Sequence, residues 1–296
     1  MATITAQMVK ALRERTGLGM MDCKKALTDA DGDLERAAEE LQKSSAAKAQ
    51  KKAGRTAADG LLGVKVAPDG KRGAMVEVNI ETDFAARNEK FVAFVERVLD
   101  AVYTKNDGDV ARVIVGDLAD AREKLVQEIG ENVTVRRAAV LAGTRVASYL
   151  HADRKKGALV ALDGGDDALG KDVAMQVVAI NPLVVESSQV SAEVVAEKRA
   201  VFTIEANESG KPADIVAKMI EGKVRKFLAE VSLVEQPFVK DPNVKVGKLL
   251  ASHKARCTGF VRFGVGEGIE KAETDFAAEV AAQVQGPRGD KPQPGR

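Results

Sequence analysis

The amino-acid sequence predicts an α+β protein with antiparallel sheets, and three observations support this. Apolar residues recur at helical spacing over about the first 45 residues, and they alternate with a period of two from Gly63 onward. An order of strand, turn, strand and helix then occurs twice along the chain. Because 296 residues exceed the usual size of one compact unit, we expect more than one domain.

Composition and charge exclude several classes of protein. The chain has 45 Lys and Arg against 44 Asp and Glu, and a dedicated nucleic-acid binder needs a larger basic surplus. No apolar run approaches the ~18 residues of a membrane span, and the first residues lack the apolar segment of a secretion signal. The two cysteines, Cys23 and Cys257, are far apart and form no disulfide framework. We therefore expect a cytoplasmic location.

A three-helix bundle is predicted in residues 1–55. Thr5 and Asp33 are placed to cap the first and third helices, and the second helix is predicted to run from Met20 to Leu27. The loop GLGM between the first two helices is of the ubiquitin-associated (UBA) type. The sequence therefore predicts a UBA-like N-terminal domain.

A basic run follows at residues 43–55, with five basic groups and no acidic one. Such a run is typical of a solvated helix or linker. It is also compatible with a contact surface for a partner, so RNA or ribosome binding is an alternative function. A basic sheet face with exposed aromatic residues would favour that alternative, but aromatics are only 4% of this chain.

Two related α+β core subdomains are predicted, one at 56–143 and one at 144–190 together with 232–266. In the first, the turn signal Pro68-Asp69-Gly70 joins two strands, and two helices and the strand NVTVRRAAVL follow. In the second, RVASYLHA and ALVALDGG flank the turn DRKKG, and the helix KDVAMQVVAI follows. Each subdomain is expected to pack its helices on an antiparallel sheet.

An insertion is predicted at 191–231, where two helical patterns are joined by the turn SGKP. In the second pattern Val216, Ile220, Val224 and Phe227 form one narrow seam. Such a seam predicts a protruding antiparallel coiled-coil hairpin rather than a core element.

The chain then closes with two short segments. A C-terminal module with a helix is predicted at 267–285, and the last residues, 286–296, are rich in Gly, Pro and charge. A segment of that composition is predicted to be disordered.

The hexamer ETDFAA occurs twice, at 81–86 and at 273–278. In each copy the threonine, Thr82 or Thr274, is placed to cap a helix, and the aspartate after it favours the positive helix end. The first copy follows a strand and the second follows a loop. We interpret the repeat as one local structure put to two uses.

The sequence contains no recognisable enzyme site. The phosphate-binding motif GxxxxGK[ST] is absent, and the glycines of GVGEG have the wrong spacing for a dinucleotide site. Cys23 and His151 could form a thiol–imidazole pair, although a lone cysteine on a small helix is usually a packed hydrophobe. The histidines and cysteines have no metal-ligand spacing. We expect no catalytic residue, cofactor or metal, and a protein that acts by binding another protein.

Two segments carry a resemblance to a known family. LRERTGLGMMDCKKAL at 12–27 and EVNIETDFAARN at 77–88 resemble the signature segments of bacterial elongation factor Ts. GENVTVRRAA, AEVSLVEQPFV, TGFVRF and VGEGIEKAETDFAAEVAA resemble the same family, in order, over nearly the whole chain. Two positions depart from the family pattern: Ile80 stands in place of a small residue or Cys, and Ala85 in place of Val.

The resemblance implies a guanine-nucleotide exchange factor for elongation factor Tu, without catalysis of its own. It also implies that the tip formed by Thr82, Asp83, Phe84 and Ala85 acts near the Mg²⁺ site of the partner. Phe84 would push a helix or loop aside, and Asp83 would compete with groups that organise the ion. On the residues alone, Phe84 could instead be an ordinary core aromatic.

The resemblance further implies several partner contacts outside the tip. The N-terminal domain would bind the GTPase domain of elongation factor Tu, the second subdomain would bind a distal domain, and the C-terminal helix would contact the GTPase domain again. The residues implied in these contacts are Leu12, Met20, Met21, Lys24, His151 and Phe276. No membrane and no nucleic acid is expected among the partners.

Overall fold

The computed structural model describes residues 3–270, which form an α+β structure with two three-stranded antiparallel sheets. The predicted fold class is therefore confirmed at this level. Among the described residues no helix is long and apolar enough to cross a membrane. The predicted C-terminal helix with Phe276, the second copy of the hexamer and the residues 286–296 lie outside the described residues.

The first three helices pack around one small apolar core. They are α1 (Ala6–Thr16), α2 (Met20–Asp29) and α3 (Leu34–Lys52). Thr5 caps α1 by accepting the Met8 N–H at 3.2 Å, and Asp33 caps α3 by accepting the Glu35 N–H at 2.9 Å. Both predicted caps are confirmed. The buried core residues are Val9, Leu12, Leu18, Cys23, Ala26, Leu27, Ala30, Ala37 and Leu41.

Residues 43–52 of the basic run form the second half of α3, and one face of this half packs against the rest of the protein. Ser45 and Ala49 are buried, and Ser45 is hydrogen-bonded to Gln127 on α7 (Asp117–Ile129). Lys52 Nζ donates to the carbonyl of Gly130 at 2.5 Å. The structure thus bears out the helix for residues 43–52, whose Lys43, Lys48 and Lys51 are exposed, and corrects the linker, because small side chains on another face of α3 allow α7 to approach closely.

The first sheet has the order β1-β2-β3, with β2 in the centre. Its strands are β1 (Asp59–Val66), β2 (Arg72–Ile80) and β3 (Val133–Ala142). The predicted turn joins β1 to β2, and Gly70 occupies its left-handed position with a φ of 67°. Between β2 and β3 lie the helices α4 (Asp83–Ala86), α5 (Glu89–Lys105), α6 (Val110–Val113) and α7. The apolar faces of α5 and α7 cover one side of the sheet.

The second sheet repeats this topology. Its strands are β4 (Arg145–Leu150), β5 (Lys156–Asp163) and β8 (Arg256–Gly264), in the order β4-β5-β8. The helix α8 (Asp167–Ile180) covers one face. In both sheets a hairpin is completed by a later strand that pairs antiparallel with its second strand. The structure thus confirms the duplicated order that the sequence predicts.

The two sheets pack face to face through their uncovered sides. Leu62 and Met75 of the first sheet share an apolar cluster with Leu159 and Phe263 of the second. Gly73 permits the close approach, because a Cβ atom there would lie 2.9 Å from a methyl carbon of Leu159. Both faces of each sheet are therefore covered, and the described residues offer no open aromatic sheet face for stacking of RNA bases.

Two antiparallel helices, α9 (Ala192–Asn207) and α10 (Ala213–Val231), extend from the second subdomain. Val216 and Val224 are buried on the predicted seam. The ends of the segment meet at its base, where the Val231 carbonyl accepts the N–H groups of Leu183 and Val184 at 2.8 and 3.2 Å. Because the ends of the insertion lie together, the segment extends from the subdomain without interrupting the second sheet.

Three short elements between α10 and β8 are not predicted by the sequence patterns. They are β6 (Pro237–Phe238), β7 (Asp241–Lys245) and α11 (Val246–Ser252). The strands are too short to show alternation, and α11 has only two turns. They close the far end of the second core, to which Phe238, Val246 and Leu250 belong.

Candidate functional site

The tip of the first subdomain presents an exposed aromatic side chain. Phe84 is 81% exposed and lies in α4, a single helical turn directly after β2. Thr82 caps this turn, because its Oγ1 accepts the Ala85 N–H at 3.2 Å. The cap predicted from the hexamer is confirmed, and the alternative that Phe84 is a core aromatic is wrong.

Ala85 points in the opposite direction from Phe84. Ala85 and Ala86 are buried, and they pack with the core between the first sheet and α5. The methyl group of Ala85 thus anchors the tip from below, and its implied part in displacing the Mg²⁺ of the partner stays a prediction. The neighbouring departure, Ile80, is fully buried in the same core.

Asp83 is the first residue of α4 and stays half-exposed. Its carboxylate pairs with Arg87 one turn later, with 3.0 Å between the nitrogen and the oxygen. An acidic group in the first turn is favourable because it faces the unpaired N–H groups. A partner that competes for Asp83 would have to replace or share Arg87.

The tip is held from the side by the turn between α7 and β3. Glu131 accepts the Thr82 N–H at 3.0 Å and the Thr82 hydroxyl at 2.8 Å. The Asn132 N–H in turn donates to Glu81 at 2.6 Å. Sequence reasoning missed Glu131 and Asn132, since no local pattern connects them to a tip about 50 residues earlier.

The implied contact residues of the bundle divide into exposed and buried ones. Met20 and Met21 are 58% and 77% exposed at the start of α2, and Lys24 is exposed one turn later. Met20 and Lys24 lie on one helix face because they are four positions apart. Leu12 is 0% exposed. It belongs to the bundle core, so its implied direct contact with a partner is corrected.

His151 lies in the turn between β4 and β5. Its Nδ1 is 2.9 Å from Asp153 Oδ1, and both side chains are about half-exposed. The backbone N–H of Lys155 donates to Asp153 at 2.8 Å and lowers the pKa of this carboxyl group, and His151 adds to the effect. The turn thus presents an imidazole beside a carboxylate that stays ionised at neutral pH.

The structure does not bring Cys23 and His151 together. Cys23 lies inside the bundle, where its Sγ contacts Thr16 and the Leu18 carbonyl. Burial raises the pKa of Cys257 to about 11, so this thiol is protonated at neutral pH and is not an activated nucleophile. In residues 3–270 no group of three or more His, Cys, Asp and Glu side chains is arranged to hold a metal ion.

Comparison with known proteins places the tip within a shared region. The model of the family Elongation factor TS matches residues 81–267. The chain is 54% identical over 286 residues to Elongation factor Ts of Hahella chejuensis (strain KCTC 2396), which covers 97% of this chain and 100% of that protein. It is 53% identical over 282 residues to Elongation factor Ts of Marinobacter nauticus (strain ATCC 700491 / DSM 11845 / VT8), covering 95% and 98%. It is 49% identical over 292 residues to Elongation factor Ts of Francisella tularensis subsp. novicida (strain U112), covering 97% and 100%.

Proposed function

The chain belongs to the elongation factor Ts family, and from this membership we propose that it promotes release of GDP from elongation factor Tu during translation elongation in the cytoplasm. One observation supports the proposal most strongly: Phe84 is exposed on a turn whose next two side chains, Ala85 and Ala86, are buried in the core. A large apolar side chain held rigidly in solvent is typical of a binding contact.

The proposed mechanism is differential binding without covalent chemistry. A GTPase holds its nucleotide mainly through Mg²⁺ and backbone contacts to the phosphates. A protein that binds the nucleotide-free GTPase more tightly must weaken nucleotide binding by the same factor. Phe84 displaces a structural element of the partner, and Asp83 competes for groups that organise its Mg²⁺. Thr82 holds the two residues in place.

The remaining contacts give affinity and orientation in this proposal. Met20, Met21 and Lys24 of the UBA-like bundle contact the GTPase domain of the partner, and His151 contacts a distal domain. The C-terminal helix, with Phe276, contacts the GTPase domain again. Because these surfaces are far apart along the chain, the partner stays bound when the tip alone is altered.

The proposal is tested by mixing the protein with elongation factor Tu loaded with labelled GDP, in the presence of excess unlabelled GDP. We expect release to accelerate in proportion to the added protein until it saturates. Release at the spontaneous rate, although a complex forms by gel filtration, would contradict the proposal.

The bundle is expected to be required for exchange but not for folding of the core. We predict that a chain starting at Gln42 folds, because Ser45, Ala49 and Lys52 keep their contacts with α7 and the turn that follows it. Its exchange rate at limiting concentration should fall more than about tenfold, since exposed contact residues are lost. Stopped-flow release and thermal melts measure the two effects.

A chain starting at Thr56 is the control for this truncation. It also loses the packed half of α3, and we expect it to melt at a lower temperature than the chain starting at Gln42. Undiminished exchange by the chain starting at Gln42 would refute the role of the bundle.

The α9–α10 insertion is expected to adjust affinity rather than to perform exchange. We predict that replacing residues 191–230 with a short Gly linker keeps the melting temperature within about 4 °C. The maximal rate of GDP release should change by less than about threefold, while the complex dissociates faster. Circular dichroism and stopped-flow release test these expectations.

The matched control extends the deletion through Leu233, which is fully buried in the core of the second subdomain. This second deletion should melt at a lower temperature than the first because a core side chain is lost. If the first deletion already abolished the folded circular dichroism spectrum, the segment would be part of the core and not an insertion.

A further inference from the structure

Glu131 fixes the conformation of the cap that precedes Phe84. The Thr82 hydroxyl donates its one proton to Glu131 at 2.8 Å and at the same time accepts the Ala85 N–H at 3.2 Å. A hydroxyl has one proton and two lone pairs, so a strong acceptor on one side orients the lone pairs toward the other. The second oxygen of Glu131 accepts the Thr82 N–H at 3.0 Å. Both polar groups of Thr82 are therefore held by one carboxylate.

A reciprocal contact ties the same two segments together a second time. Glu81 accepts the Asn132 N–H at 2.6 Å, and Arg55 lies 3.6 Å from the same Glu81 oxygen. The Asn132 side chain donates to the carbonyls of Arg55 at 2.8 Å and Ala53 at 3.4 Å. Glu131 and Asn132 of the α7–β3 turn thus hold Thr82 of the tip, Glu81 directly before it and the residues that follow α3.

The tip needs such support because α4 has a single turn. A helix of one turn is unstable by itself, since nucleation fixes several residues for one hydrogen bond. The buried methyl groups of Ala85 and Ala86 hold one side of the turn, whereas the Phe84 side chain on the other side is 81% exposed. The orientation of Phe84 therefore depends on the backbone at Thr82, which Glu131 holds.

We propose that Glu131 is a positioning residue that holds Phe84 in the orientation required for GDP release, a role that rests on the exchange function proposed above. Glu131 acts on the partner only through the tip. Its removal should therefore lower the maximal rate of release and leave the affinity for elongation factor Tu nearly unchanged, because the distant contacts persist. A residue that merely contacted the partner would instead change the affinity.

The test compares the full chain with three variants of Glu131, the single variant Phe84→Ala and a control. Glu131→Ala should lower the maximal rate of GDP release by about tenfold, the scale expected when charge-assisted hydrogen bonds to a functional segment are lost. Glu131→Gln keeps one acceptor oxygen and should lose only about threefold. Glu128→Ala removes the same charge one turn earlier on α7, where it pairs with Lys90 at 2.7 Å, and should release GDP at the parent rate.

The third variant is the double substitution of Glu131 and Phe84 by alanine. If Glu131 acts through Phe84, the double variant should release GDP at the rate of Phe84→Ala alone, whereas independent residues would give multiplied losses. Hydrogen exchange of the tip peptide, measured without the partner, should be faster in Glu131→Ala and unchanged in Glu128→Ala. Melting temperatures of the single variants should agree within about 2 °C.

The outcomes separate this inference from the function on which it rests. If the parent protein itself does not accelerate GDP release, the proposed function fails. If the parent and Glu128→Ala accelerate release and Glu131→Ala does so equally, only the positioning role is overturned. A tip that exchanges hydrogen faster in Glu131→Ala without any loss of GDP release, or losses that multiply in the double variant, would overturn it as well.

Discussion

Replacing Phe84 by alanine is expected to slow GDP release from elongation factor Tu by about 30-fold, the loss of about 2 kcal/mol that a central aromatic contact typically contributes. The stability of the chain itself should hardly change, because Phe84 is exposed and truncation leaves no cavity. The distant contacts of the bundle and the second subdomain persist, so complex formation should weaken less than release slows. Stopped-flow fluorescence of labelled GDP and thermal melts measure the two effects.

Phe91→Ala is the matched control, with the same substitution seven residues later in the chain. Phe91 is fully buried on α5, so its truncation should cost about 3–5 kcal/mol of unfolding free energy. At a temperature where this variant remains folded, it should release GDP at nearly the parent rate. A Phe84→Ala protein that releases GDP at the parent rate would disprove the role of the tip.

Replacing Glu77 by alanine is expected to cause a large loss of stability. Glu77 is fully buried between the sheets and accepts hydrogen bonds from Arg136 at 3.0 Å, Arg137 at 2.5 Å and the Gly266 N–H at 2.8 Å. Removing one partner from a buried ion pair leaves uncompensated charge and typically costs 3–5 kcal/mol. Because both arginines are about one-third exposed, we expect a loss near the lower end, about 3 kcal/mol.

Urea denaturation measures this loss, and Glu96→Ala provides the control. Glu96 pairs with Arg154 at 2.7 Å but is half-exposed, so its removal should cost less than about 1 kcal/mol. Similar small losses in both variants would show that burial of Glu77 does not make its ion pairs important for stability.

The sequence patterns predict secondary structure better than they predict contacts between elements. Alternation and turn signals correctly predict both hairpins, because a half-buried strand encodes its own pattern. The packing of Ala49 against the first subdomain could not be predicted, since a small residue in a basic run carries no periodic signal. The ion pairs of Glu77 with Arg136 and Arg137 span about 60 positions, and its hydrogen bond from the Gly266 N–H spans about 190, which no local pattern encodes.

The candidate site likewise has some features that a local sequence pattern predicts and others that depend on tertiary structure. The hexamer predicts the cap at Thr82 because an N-cap is a local hydrogen bond between near neighbours. Whether Phe84 faces solvent or the core depends on the angle at which α4 leaves the sheet, and this is a tertiary property. For Leu12 the local pattern and the resemblance disagree. Its helical spacing with Val9 predicts a place in the bundle core, which is observed, whereas the resemblance implied a contact with a partner.

The base of the α9–α10 insertion has a consequence for the order in which the chain folds. The first sheet can form once Ala142 has been synthesised, but β5 must wait for β8, roughly 90 residues later, which at 5–20 residues per second takes roughly 5–20 s. During that interval one edge of β5 has unpaired backbone groups, which invite pairing with other chains. Once Leu183 and Val184 bind Val231, the open loop shrinks to roughly 40 residues, and its closure loses less chain entropy. The contact at the base of the two helices thus shortens the loop that must close, and this favours the pairing of β8 with β5.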